Sequence, residues 1–84
     1  MKLSIKGLAI ASGIVWALAV LIVGIANVIW PTYGVGFLTL IGSLYPGYQV
    51  GTGVASVVVG ALYGLVDGAI GGAVFAWVYN RFAA

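Results

Sequence analysis

Residues 56–77 read SVVVGALYGLVDGAIGGAVFAW, and small side chains recur in this stretch at every fourth position. The recurring residues, which we call the glycine ladder, are Ser56, Gly60, Gly64, Gly68, Gly72 and Ala76. Residues four apart lie above one another on an α-helix, so the glycine ladder forms a smooth groove along one helix face. In lipid, helices associate through close backbone approach at such faces. The stretch therefore predicts a membrane helix with another helix packed against it.

A second series of small residues, Ala9, Gly13 and Ala17, has the same spacing in the first apolar segment. Two interpretations are open. Either the two series close a hairpin within one chain, or one series closes the hairpin while other glycines, such as Gly71, face a neighbouring subunit. A hairpin of this length has little surface besides its helix faces, so we favour a homo-oligomer assembled through a glycine zipper.

The composition of the 84-residue chain predicts a single membrane domain, residues 1–84. Hydrophobic residues make up 64% of the chain and charged residues 5%, which is too few to cover a water-soluble surface. With one acidic residue, no His and no Cys, the chain cannot assemble a nucleophile–base pair or a thiolate site. We therefore expect a non-enzymatic protein without cofactor or metal, and its net charge of +2 does not indicate nucleic-acid binding.

Two apolar segments are long enough to cross a bilayer. The first, residues 7–30, would extend about 36 Å as a helix, against a hydrocarbon core of about 30 Å. The second, residues 50–79, contains a single charge. Trp30 ends the first segment, and Trp77 and Tyr79 lie near the end of the second, as is typical of interfacial aromatic belts. The first segment is too long for a typical signal peptide, so we expect no cleavage.

The basic residues predict the orientation. Lys2 and Lys6 precede the first span and Arg81 follows the second, whereas the connecting segment carries no charge. By the positive-inside rule both termini lie on the cytoplasmic side.

The connecting segment, residues 32–49, is itself apolar. We expect a short helix there that lies in the outer interface or packs over the hairpin, with a shallow re-entrant loop as the alternative. Tyr45-Pro46-Gly47-Tyr48 predicts a turn after it. The predicted fold class is an all-α membrane protein, a two-transmembrane-helix hairpin with a short interfacial helix in the connecting segment.

Asp67 is the only acidic residue, and it lies near the middle of the second span. Ionisable side chains at this depth are costly and mark functional positions by default. Tyr63, one helical turn earlier, and Trp16, at a similar depth in the first span, are candidate donors to this buried acid. Asp67 is interpreted as a hydrogen-bonding clasp between helices, with proton or cation handling and a pore-lining position as alternatives.

The segment Leu44-Tyr45-Pro46-Gly47-Tyr48 and the run from Tyr63 to Asn80 resemble a family of small two-span bacterial membrane proteins. Members of that family are often labelled bacteriophage holin or domain of unknown function. The resemblance extends over nearly the whole chain and implies the bacterial inner membrane and a role in permeability or an accessory role. It implies no functional residues. We therefore expect a self-associating, holin-like protein, with a structural accessory subunit of a larger membrane complex as the alternative.

The rings of rotary ATP synthases are also similar in part, because they consist of glycine-rich hairpins with one carboxylate midway along the second helix. This similarity leaves an ion- or proton-coupling ring subunit that uses Asp67 as a further alternative. Those hairpins, however, carry a polar, basic loop and have their glycine ladder in the first helix. Here the loop is uncharged and the ladder is in the second helix.

Overall fold

The computed structural model describes residues 2–49 and 53–83, and these residues form three α-helices and no strand. Helix α1 spans Ile5–Ile29, α2 spans Val35–Leu44 and α3 spans Val54–Phe82. The predicted all-helical class is confirmed, and both α1 and α3 are long and apolar enough to cross a membrane. Helix α3 ends later than the predicted second span, and the first residues of that span, 50–52, lie outside the described residues.

Local signals in the sequence begin and end α1. The Ser4 hydroxyl accepts a hydrogen bond from the Gly7 N–H at 3.0 Å, which caps the first turn. At the other end, Pro31 disfavours the helical conformation for the residue before it, and Trp30 is accordingly extended, with φ −121° and ψ 96°. The first long helix therefore ends where the sequence predicted.

Helices α1 and α3 pack antiparallel over nearly their whole length, in a hairpin with extents of 48 × 19 × 18 Å. The glycine ladder faces α1. A Cβ placed at Gly68 would lie 2.6 Å from the Ser12 carbonyl oxygen, and one at Gly72 would lie 2.6 Å from that of Leu8. From α1, a Cβ at Gly13 would lie 2.8 Å from the Leu65 carbonyl oxygen. The two backbones approach so closely that only hydrogen fits at these positions.

Helix α2 turns back along the hairpin after a tight turn at Gly34. This residue has φ +67°, a conformation that favours glycine, and a Cβ there would lie 2.5 Å from Val23. At the other end of α2 the predicted turn is present, because the Tyr48 N–H donates to the Tyr45 carbonyl and Gly47 has φ +85°.

A small hydrophobic core joins α2 and the turn that follows it to the hairpin. Its buried members are Val20, Leu38, Ile41, Tyr45 and Tyr48, with Trp16, Val23 and Phe37 packed against them. Gly34, which precedes α2, lies against Val23 of α1, and Tyr45, which ends α2, is hydrogen-bonded to Trp16 of α1. Helix α2 therefore lies along one side of the hairpin. The sequence left several placements open for this segment, and in the structure α2 packs over the hairpin. The C-terminal end of α2 lies beside the middle of the long helices.

Two asparagine side chains form hydrogen bonds at the two ends of the hairpin. Asn80 accepts from the Leu3 N–H at 2.7 Å and donates to the Leu3 carbonyl at 2.8 Å, which ties the N-terminal segment to the end of α3. At the opposite end the buried Asn27 donates to the carbonyls of Pro31 and Tyr33. Both amides satisfy backbone groups beyond a helix end, where no helical partner is available.

Candidate functional site

The three helices meet at one polar cluster near the middle of the hairpin. Trp16 lies at the centre of α1, Asp67 at the centre of α3, and Tyr45 is the residue that ends α2. The Trp16 indole N–H donates to the Tyr45 hydroxyl oxygen at 2.7 Å, and this hydroxyl donates to Asp67 Oδ2, also at 2.7 Å. We call this arrangement the Trp16–Tyr45–Asp67 hydrogen-bond network.

Aromatic contacts position the side chains of the Trp16–Tyr45–Asp67 hydrogen-bond network. The Tyr45 ring stacks on that of Tyr63 with centroids 5.1 Å apart and an angle of 18° between the planes. Trp16 makes an edge-to-face contact with Phe37, with centroids 5.9 Å apart. Both geometries are favourable for aromatic pairs. The Tyr45 hydroxyl is therefore positioned from two sides, by ring stacking and by its two hydrogen bonds.

Tyr45 lies outside the two long helices, and its surroundings keep its hydroxyl protonated. Burial raises the pKa of Tyr45 above 10.0, the hydrogen bond from Trp16 opposes this rise, and the hydrogen bond to Asp67 and its charge reinforce it. The hydroxyl therefore stays a donor at neutral pH, and the carboxylate of Asp67 is its acceptor.

The sequence predicted Asp67, Trp16 and Tyr63 as members of this site but not Tyr45. Trp16 reaches Asp67 only through Tyr45, and Tyr63 stacks on Tyr45 instead of donating to the carboxylate. Within the single chain Asp67 is exposed, and the Tyr45 hydroxyl covers one of its oxygens. Its burial in a membrane stays a prediction. Tyr45 was assigned only to a turn. A polar aromatic residue at the end of an apolar helix was the available signal for its role.

The remaining predicted residues divide between the helix interface and the ends of the hairpin. Most small residues of the two series are buried, while three are partly buried, namely Ala9, Ala17 and Gly68. The residues of the predicted aromatic belts, Trp30, Trp77 and Tyr79, are exposed at the two ends of the hairpin. Gly13, Gly64, Gly68 and Gly72 therefore serve the contact between α1 and α3, whereas Gly60 lies closest to the Tyr48 ring.

Asp67 lines an open groove between α1 and α3, which we call the Asp67 groove. It has a volume of about 620 Å³, and its walls come from residues between Leu8 and Trp16 of α1 and between Asp67 and Phe75 of α3. Gly71 lies on its surface, where an added Cβ would have no atom within 4 Å. Because Trp16 and Asp67 also contact Tyr45, the groove begins where α2 ends.

The fold and site define a small all-helical protein: a hairpin of two long apolar helices, a short third helix folded against it, and one carboxylate at the edge of an apolar groove. The Asp67 side chain can accept hydrogen bonds or hold a cation. Comparison with known proteins gives no match among family models, curated proteins or solved structures. The resemblance to holin-like proteins therefore stays a prediction.

Proposed function

We propose that this chain is an integral protein of the bacterial inner membrane that acts without enzymatic chemistry, by self-association of a holin-like kind that affects membrane permeability. The main support for membrane insertion is the exposure of apolar residues on α1 and α3. Only 17% of the residues in the most apolar 18-residue stretch of α1 are buried, and 22% in that of α3. A core helix of a soluble protein is mostly buried, so lipid is the solvent that fits these helices.

The distribution of charge supports an orientation with both termini in the cytoplasm. The described basic residues, Lys2, Lys6 and Arg81, lie at one end of the hairpin, where the N-terminal segment is hydrogen-bonded to Asn80. The opposite end, around Pro31, carries no charged side chain among the described residues. The positive-inside rule favours retention of the basic end on the cytoplasmic side.

Single-cysteine variants test the placement, because the natural chain has no Cys. We expect a membrane-impermeant maleimide to label Phe82→Cys in inverted bacterial membrane vesicles and Thr32→Cys in intact spheroplasts. Leu18→Cys serves as the matched control, since Leu18 is 48% exposed in the chain and only lipid can shield it. Rapid labelling of Leu18→Cys from either side would contradict membrane insertion, and labelling of Phe82→Cys in spheroplasts would contradict the orientation.

Self-association requires surfaces other than the glycine ladder, because α1 of the same chain covers the ladder. Large apolar side chains remain exposed along both long helices, including Ile14 and Ile22 on α1 and Val66 and Ile70 on α3. These faces are available to a second copy, and van der Waals fit between them would drive association in lipid. An exposed carboxylate midway along α3 is also suited to a lining position in an oligomeric pore.

Mass measurement of the complex in mild detergent tests self-association. We expect multiples of the 8.6 kDa chain, and liposomes containing the purified protein should release an encapsulated dye at a rate that rises steeply with protein content. Asp67→Asn should change this rate by about tenfold if the carboxylate lines the pathway. A monomer in tight liposomes would contradict the proposal. Co-purification with a larger complex would favour the accessory-subunit alternative, and a ring of fixed size would favour the ion-coupling alternative.

A further inference from the structure

The Asp67 groove has the dimensions and walls of a small-molecule site. Its volume of about 620 Å³ falls within the range of about 300–1,000 Å³ that is typical of ligand pockets. Apart from Asp67 and Ser12, the side chains that line it are apolar or absent, and the rings of Trp16 and Phe75 contribute to its walls. The walls therefore fit an apolar ligand better than a hydrated ion.

The carboxylate in this groove has no positive partner in the described part of the chain. Arg81 lies fourteen residues further along α3, or about 21 Å along the helix axis. Lys2 precedes α1 and Lys6 lies in its first turn, so both belong to the same distant end. Among residues 2–49 and 53–83 the Tyr45 hydroxyl is the only donor to Asp67, and it occupies Oδ2. The other carboxylate oxygen therefore has no hydrogen-bond donor from these residues, and Asp67 lines the groove.

We propose that the Asp67 groove binds a hydrophobic organic cation with a single positive charge. The cation would lie beside Asp67, and its apolar substituents would fill the groove between the rings of Trp16 and Phe75. Charge complementarity selects this class of ligand, because a neutral molecule leaves the carboxylate without a counter-charge and a hydrated metal ion does not fit apolar walls. This inference requires the chain to be in lipid or detergent, but it does not require self-association.

Equilibrium dialysis with radiolabelled tetraphenylphosphonium tests the proposal on the purified full-length chain in detergent, with empty micelles subtracted. We expect saturable binding, and we expect Asp67→Asn to weaken it at least about tenfold, because the amide keeps an oxygen acceptor for Tyr45 but loses the charge. Tetraphenylborate has the same size and shape with the opposite charge, so it should show no saturable binding when it is dialysed alone against the protein.

A second pair of variants separates the groove from general affinity for micelles. Phe75→Leu removes a ring from the groove wall, whereas Phe82→Leu removes an exposed ring outside it. We expect Phe75→Leu to weaken binding several-fold and Phe82→Leu to leave it unchanged. Equal binding by wild type and Asp67→Asn, or saturable binding of tetraphenylborate on its own, would overturn the proposal. Cysteine labelling and complex mass report on the proposed function separately, so failure of one does not imply failure of the other.

Discussion

Gly72→Ala is expected to destabilise the hairpin by about 1–3 kcal/mol, which is typical of overpacking in a close-packed interface. The added Cβ would lie 2.6 Å from both the Leu8 carbonyl oxygen and the Ser12 hydroxyl oxygen. The carbonyl belongs to the backbone of α1, so a rotamer change cannot relieve the contact. The two helices must move apart, and the close approaches at the neighbouring ladder positions are then lost as well.

Gly71→Ala is the matched control for Gly72→Ala, because it makes the same chemical change one position earlier, where the added Cβ would have no atom within 4 Å. Its effect should range from neutral to a stabilisation of about 1 kcal/mol, because alanine has the higher helix propensity and meets no atom here. Unfolding by sodium dodecyl sulphate in mixed micelles, followed by tryptophan fluorescence, measures both variants. Equal stabilities for the two variants would show that α1 does not approach the ladder as described.

Tyr45→Phe is expected to release α2 from the hairpin at a cost of about 1–3 kcal/mol, because it removes the hydroxyl that joins the three helices. The Trp16 indole N–H would lose its acceptor and Asp67 would lose its described donor, while the ring would keep its stacking on Tyr63. The effect should be local, since the contact between α1 and α3 does not depend on Tyr45.

Hydrogen exchange by NMR in micelles measures the effect of Tyr45→Phe. We expect faster exchange of the α2 amides, residues 38–44, and a shifted indole N–H resonance for Trp16. Tyr63→Phe is the control, because the Tyr63 hydroxyl makes no hydrogen bond within the described part of the chain while its ring makes the same stacking contact. If the two variants gave the same exchange rates in α2, the hydroxyl would have no role in holding this helix.

The long helices could be predicted from the sequence because their signals are local and periodic. Length, the absence of charge after Lys6 and the aromatic end at Trp30 define the first span without reference to any other element. The four-residue period of the glycine ladder likewise identifies the face of α3 that another helix must approach. Such features depend on a few neighbouring residues and on helix geometry alone.

The site could be predicted only in part, because its partners are distant along the chain. Trp16 and Tyr45 are 29 residues apart, and Tyr45 and Asp67 are 22 residues apart. No periodicity relates them, and the apolar connecting segment fits an interfacial helix as well as a packed one. The sequence therefore identified Asp67 and Trp16 as unusual but not the tyrosine that links them.

The sequence by itself determined the helical class, the two long apolar segments and the packing face of α3, since each follows from local composition and helical period. The tertiary structure alone decided the direction of α2, because that direction depends on a left-handed turn at Gly34 and on apolar contacts with Val20. It also decided the exposure of Asp67, since α2 ends at Tyr45, whose hydroxyl covers one carboxylate oxygen and leaves the groove beside it open.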